Sequence, residues 1–344
     1  MIKSIEFENF KALRQTTLPL GRFTLIVGPN GSGKSTALNA LAAFGNPFGN
    51  PAQWGYGQLR TAGLVAPAAV TLRATWVDGW GDGDGGPITR VEVRWTEHGV
   101  KATPFFVPDP QQPSPSRAAG LALGAVRVFW PSANLIAARP VVLQPQMELD
   151  QDCANLAGVL DRLRDQNPER FDALNAELSR WIPEFDRIAF ETPGQGQRAI
   201  ALRTRAGGHR IKACDLSQGT LIALALLTIA YLPEPPSVVG LEEPDHGLHP
   251  RLLRDVRDAL YRLAYPEGAG EKRQPVQVVA TTHNPYFLDL FREHPEEIVI
   301  AEKVGLEAKF SRLSDRGDLE EILGDAPLSE VWYSGVLGGV PAGT

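Results

Sequence analysis

"GPNGSGKS", Gly28 to Ser35, follows the apolar run "RFTLIV" and leads directly into "TALNALAAF". A strand that ends in a Gly-rich turn and restarts as a helix fits the phosphate-binding loop pattern. The chemistry needs these residue types. Glycines let backbone N–H groups curl around a phosphate, and the helix N-terminus adds partial positive charge. Lys34 is placed to reach β- and γ-phosphates, and the Ser35 hydroxyl to ligate Mg²⁺. The residues expected to bind nucleotide are Asn30, Gly31, Ser32, Gly33, Lys34, Ser35 and Thr36. A chance match to a plain strand-to-helix turn is the competing reading, and the full pattern in this setting disfavours it.

A second stretch lies some two hundred residues downstream. "GLEEPDHGLHP", Gly240 to Pro250, places two glutamates side by side after the apolar run "SVVGL". Adjacent carboxylates repel, and that repulsion is tolerable beside a cation. Glu242 then serves as a ligand in the Mg²⁺ shell. Glu243, one residue on and so pointing elsewhere, polarises the attacking water. Two exposed loop glutamates would explain neither the buried strand before them nor the Pro after them.

Two further stretches fit the same chemistry. "LSQGT" (Leu216 to Thr220) opens a helix with Ser217 and Gly219, giving either a second anion-binding terminus or a plain helix cap. "TTHNP" (Thr281 to Pro285) ends a strand at His283, which reads as a hydrogen-bond donor to a γ-phosphate or as a structural histidine.

Bulk composition narrows the class. The 344 residues carry a formal net charge of −6, so no global basic field advertises nucleic-acid binding. Cys153 and Cys214 have no metal-ligand spacing and suit a reduced, cytoplasmic protein. "MIKSIEFENF" alternates like a strand and lacks the apolar core of a signal peptide. The longest apolar run, Leu221 to Leu232, is too short for a membrane span and reads as a buried helix.

Along the chain, strands are expected at "SIEFENF" and "RFTLIVG", and a hairpin over "AVTLRATWVDGWGDGDGGPITRVEVRWTEHG". "GDGDGG" resembles a calcium loop without its closing glutamate, and reads as a solvated turn. An exposed loop follows at Asp109 to Arg117, then a short strand "AVRVFWP", two helices split at Asn167-Pro168, and further hairpins up to Ala213. Beyond the helix at Ser217 come "SVVGLEE", a helix, "VQVVATTH", a helix and "EEIVIAEK". The expected organisation is one α/β head. Its discontinuous core covers about residues 1–45 and 211–344, around a mixed β-hairpin and helical insertion at about 46–210.

In this order the stretches resemble the ATP-binding-cassette (ABC) ATPase heads among P-loop NTPases, and within them the RecF, SMC and OLD-like (overcoming lysogenization defect) branch. The likeness rests on "IEFENFKALRQTTLPLGRFTLIVGPNGSGKST", "LSQGT", "VVGLEEPDHGLHP" and "VVATTHNPYFLDL". The ending "LSEVWYSGVLGGVP" also looks like the small stand-alone predicted AAA-family ATPases of this branch. The resemblance implies Walker A at Gly28 to Ser35, a signature motif led by Ser217 and Walker B at Glu242. It further implies Glu243 as catalytic carboxylate, a D-loop through His249 and a switch at His283. Lys11 corresponds to a basic residue that approaches phosphate in related heads, or is a solvated strand-end lysine. Departures are Glu242 where transporters have Asp, and LSQGT in place of LSGGQ. For the Q-loop, Gln144 and Gln146 are candidates, although both also read as exposed-loop residues.

What the resemblance implies is an ATPase using ATP and Mg²⁺, which closes as a homodimer around nucleotide and reopens on hydrolysis. Closure would drive DNA binding or a separate effector protein, in genome maintenance or anti-phage defence. About sixty residues follow His283, too few for the nuclease domain that OLD proteins carry there. The alternative is the nucleotide-binding subunit of a membrane transporter. Against it stand the strand-rich lead, the EEP…LHP sequence, and a gap of roughly 180 residues between phosphate loop and signature. A third reading, a nucleotide-binding scaffold without turnover, is weakened by Glu243.

Overall fold

Apolar residues of the first strand, β1 (Ile2–Phe10), turn inward at Ile2, Ile5, Phe7 and Phe10. Ile5 and Phe7 share a face by strand alternation, and the register shift between Ile2 and Ser4 and the left-handed Asn9 (φ 61°) interrupt that alternation at either end; two edges remain for partners. In the computed structural model, which describes residues 1–48, 54–63, 68–77, 88–106, 126–138, 140–143, 148–324 and 326–338, both edges are taken. β2 (Leu13–Pro19) pairs with one and β4 (Val70–Val77) with the other, both antiparallel. β5 (Ile88–Thr96) and β6 (Gly99–Phe106) continue the sheet in the order β2-β1-β4-β5-β6. The expected hairpin is present as β4 and β5. Its strands extend the sheet that β1 begins, and β2 and β6 are additions that the sequence pattern did not mark.

The chain divides into two compact units: Met1–Val128, Pro236–Glu242 and Lys272–Thr344 in the first, Phe129–Pro235 and Glu243–Glu271 in the second. A further sheet of the first unit runs β15-β14-β3-β13-β12-β7. Its members are β3 (Phe23–Val27), β7 (Val126–Phe129), β12 (Val238–Leu241), β13 (Gln277–Thr282), β14 (Ile298–Val304) and β15 (Glu307–Arg312). Every residue of β3, β12 and β13 is buried, as expected for central parallel strands covered on both faces. β12, β13, β3 and β14 are mutually parallel, and β15 closes the edge antiparallel to β14.

Gln277 links the two sheets of this unit. Its fully buried amide donates to the carbonyls of Ile2 (2.7 Å) and Gly21 (2.8 Å) and accepts the Ile2 N–H (2.8 Å). A buried amide with this many partners is stabilising, whereas an apolar side chain there would strand three backbone groups.

In the second unit β9 (Phe185–Glu191), β10 (Gln197–Thr204) and β11 (Arg210–Lys212) form an antiparallel sheet, with β8 (Val141–Val142) also on β10. Helices Leu156–Gln166 and Pro168–Trp181 break at Asn167-Pro168, where Pro occupies the first helical position. The helix Gln218–Ala230 is buried on nearly every side, as its unbroken apolar sequence requires. The "GDGDGG" turn, the Asp109 to Arg117 loop, Gln144 and Gln146 lie outside the described residues.

Candidate functional site

The parallel register fixes what the first unit gathers. Val27 pairs with Thr282, and Ala280 with Leu241, so β3, β13 and β12 end at the same edge of the sheet. The phosphate loop leaves β3, His283 follows β13, and Glu242 follows β12. Neighbouring strands lie about 4.8 Å apart, so β3 and β12 stand about 10 Å apart with β13 between them. This edge, at the carboxyl ends of parallel strands, is where open α/β sheets bind ligands.

The loop is held by close backbone approaches. A Cβ on Gly28 would stand 2.4 Å from the Ala301 carbonyl oxygen, and one on Gly33 2.6 Å from the Ala308 Cβ. Gly33 also has φ +102°, a left-handed conformation that a side chain would strain, and it caps the helix Lys34–Gly45. That helix has no side-chain N-cap, so its first N–H groups stay directed to the loop. Lys34 folds back over it: Nζ donates to the carbonyls of Gly28 (2.7 Å) and Pro29 (3.0 Å). The Ser32 hydroxyl is buried and has no hydrogen-bond partner. A buried donor without an acceptor, two residues before a helix start, fits a bound phosphate oxygen. Asn30, Gly31 and Ser35 are exposed, and Thr36 is half-buried.

Lys11 sits in the tight turn between β1 and β2 with φ 49°. Its N–H donates to the Leu59 carbonyl (2.8 Å), and its carbonyl accepts the Thr61 hydroxyl (2.7 Å). The next residues tie this turn to the loop: Ala12 accepts the Ala308 N–H (3.1 Å), and Leu13 lies 3.5 Å from the Gly33 Cβ position. His283 is exposed and precedes the helix Pro285–Asp289, which Asn284 caps by accepting the Tyr286 N–H (3.0 Å).

The second unit carries Glu243, Ser217, Gly219 and His249. Glu243 adopts φ 43°, left-handed for a non-glycine residue, and Pro244 follows it. The Glu243 carbonyl accepts the His246 N–H (2.9 Å), and the His246 ring lies 3.9 Å from its carboxylate. Ser217 is the N-cap of Gln218–Ala230: its Oγ accepts the Thr220 N–H (3.1 Å) and lies 2.8 Å from the Thr220 hydroxyl. A Cβ on Gly219 would meet the Gly247 carbonyl at 2.8 Å. The sequence reading did not single out Gly247; its φ of +72° behind an Asp-His pair is the turn signal that marks it. His249 Nδ1 accepts the Arg251 N–H (3.2 Å) and caps the turn Pro250–Leu252.

This arrangement defines a P-loop NTPase fold: α/β, with a mixed sheet and helical insertions of the kind found in ABC-ATPase-like heads. Two family models match parts of the chain. Residues 1–53 match the family "AAA ATPase domain", and residues 150–289 match "AAA domain, putative AbiEii toxin, Type IV TA system". An OLD nuclease of Thermus scotoductus is 51% identical over 41 residues, which are 12% of this chain and 8% of that relative. The recombination mediator protein RecF, solved with ATPrS and with ATP in the RecFOR pathway, is 12% identical in both structures. TM-scores are 0.45 and 0.43, covering 90% and 83% of this chain and 98% and 93% of those chains. The two family matches support the P-loop ATPase superfamily at large and select no branch within it. Among the described residues, no helix is long and apolar enough to cross a membrane.

Proposed function

We propose that this chain binds and hydrolyses ATP, and that two copies close around nucleotide as a switch acting on DNA or on a separate effector protein. One observation carries the reading: the phosphate loop, His283 and Glu242 leave three adjacent strands at one sheet edge. In the proposed cycle the loop N–H groups, Ser32 and Lys34 grip the β- and γ-phosphates, with Lys34 exchanging its carbonyl partners for phosphate oxygens. Mg²⁺, when bound, would be held by Ser35, Glu242 and the phosphates themselves, and would neutralise their charge. Glu243 takes the proton of the attacking water, and His283 donates a hydrogen bond to the γ-phosphate. Ser217 and Gly219 would serve the nucleotide of a second copy, with Lys11 steering phosphate at the loop. The resemblance of the motifs to RecF, SMC and OLD-like heads is what brings DNA and genome maintenance or phage defence into this reading.

Phosphate release from ATP, measured with and without DNA, tests the proposal. Turnover above a Lys34→Ala control supports it, and the absence of turnover under both conditions counts against it. Mixing Lys34→Ala with Ser217→Arg tests the two-copy site. Each variant alone should be inactive, and mixed dimers should recover part of the activity by pairing an intact loop with an intact Ser217. No recovery in proven mixed dimers argues for sites within one copy or for strict coupling between them.

A further inference from the structure

The second unit carries a charge pattern that the nucleotide chemistry does not use. Arg203 of β10 pairs in register with Arg187 of β9 on one side and Arg210 of β11 on the other. Residues directly opposite in a sheet share a face, so three arginines stand in a row across three strands. Lys212, opposite Ala201, lies on that face too. Arg187, Arg210 and Lys212 are exposed, and the other face is packed through Ile188, Ile200 and Leu202.

Like charges directly opposite destabilise a sheet, so a solvated row of this kind is costly without anionic partners. The local ones are few. Asp186 takes two bonds from Arg203, both 2.8 Å, and Glu191 lies 3.5 Å from Lys212. Asp186 is held below the usual carboxylate range first by its Arg203 hydrogen bond, with smaller contributions from Arg205 and Arg187. Both of those arginines therefore lie close enough to act on it. Residues 184–212 contain six Lys and Arg against three Asp and Glu, in a chain whose net charge is −6. The excess is local.

We propose that the β9–β11 face binds the phosphate backbone of duplex DNA. The assignment rests on the DNA arm of the proposed function and gives it a location. Arg187 and Arg210 offer exposed guanidinium forks for phosphate oxygens on either side of the Asp186-bound Arg203, and no aromatic side chain stands opposite them in the row. Single-strand binding relies on aromatic stacking platforms, and specific reading relies on side chains in a groove. A bare arginine row suits sequence-independent contact to duplex phosphates.

Fluorescence anisotropy of a labelled 20-base-pair DNA, titrated with the full chain over a range of salt, tests this. Arg187→Gln/Arg210→Gln should weaken binding about tenfold or more and lower the slope of log affinity against log salt by about two. Arg187→Lys/Arg210→Lys keeps the charge and should retain most of both, which a purely structural role of the arginines would not predict. Arg90→Gln/Arg94→Gln, which removes equal charge from β5 in the other unit, should change little. The proposal is overturned if wild type does not bind at low salt, or if the β9–β11 and β5 variants lose binding equally. It is also overturned if a single strand of equal charge binds more tightly, or if poly-glutamate of equal charge competes as well as DNA. ATP turnover without DNA, measured on the same samples, keeps the two readings separate: intact turnover with no DNA binding removes this surface alone.

Discussion

Gly28 and Ala301 meet backbone to backbone: a Cβ on the first glycine of the phosphate loop would stand 2.4 Å from the Ala301 carbonyl oxygen and 2.7 Å from Ser32 Oγ. The loop is thus braced by β14, a strand about 270 residues away in sequence. Gly28→Ala should force β14 or the loop to shift, at about 1–3 kcal/mol. Gly31 has φ +79° with nothing within 4 Å of its Cβ position, so Gly31→Ala meets only backbone strain of about 1–2 kcal/mol. Thermal unfolding should rank Gly28→Ala as the less stable variant, and ATP titration should show the larger loss of affinity there.

Lys34→Ala should abolish ATP binding or nearly so. Its ammonium already sits on the Gly28 and Pro29 carbonyls, inside the loop that would receive phosphate. Calorimetry with ATP checks this, and an unchanged affinity would sink the nucleotide assignment.

Glu242 and Glu243 are neighbours in sequence, and Glu243 has the left-handed backbone, with φ 43°. Their neutral variants should therefore differ. Glu243→Gln should keep ATP binding and lower turnover by about a hundredfold or more, the usual loss for a general base. The closed dimer should then accumulate in ATP, shifting elution in size-exclusion chromatography. Glu242→Gln should weaken Mg²⁺-dependent binding as well as turnover. Wild-type hydrolysis by Glu243→Gln would mean another group activates the water.

Gly219→Ala should be far more harmful than an exposed helix-start glycine normally is. The added methyl would sit 2.8 Å from the Gly247 carbonyl and push the start of the helix Gln218–Ala230 away from the turn that follows Glu243. Turnover should fall with ATP affinity for the phosphate loop retained. Equal losses in both would place Gly219 in primary nucleotide binding instead.

Gln277→Leu tests the link between the two sheets of the first unit. Three hydrogen bonds, two of them buried, disappear, and the Ile2 N–H and two carbonyls lose their partner. Denaturant unfolding should show a loss of about 2–4 kcal/mol. A cost below about 1 kcal/mol would mean that the β1 end rearranges and re-satisfies those groups.

The phosphate loop was legible because all its information is contiguous: apolar strand, glycine turn, lysine and helix follow one another within about twenty residues. The break at Asn167-Pro168 and the buried helix after Ser217 were legible for the same reason, since proline geometry and unbroken apolarity act locally. β2 and β15 were missed because each lies at the end of its sheet and alternates weakly between polar residues. β6 was missed because its apolar residues lie mostly at one end, beside a proline.

By itself, then, the sequence determined the local patterns: a glycine-rich turn between strand and helix, two adjacent glutamates after an apolar run, and where helices start. Tertiary structure alone decided the neighbours. That β13 lies between β3 and β12, that Ala301 braces Gly28, and that Arg187, Arg203 and Arg210 form one row are matters of strand order and register. Side-chain alternation tells which face a residue occupies, but pairing joins segments far apart in the chain. Hydrogen-bond register and close packing between those segments select the partner, and no short stretch of sequence contains both sides of that contact.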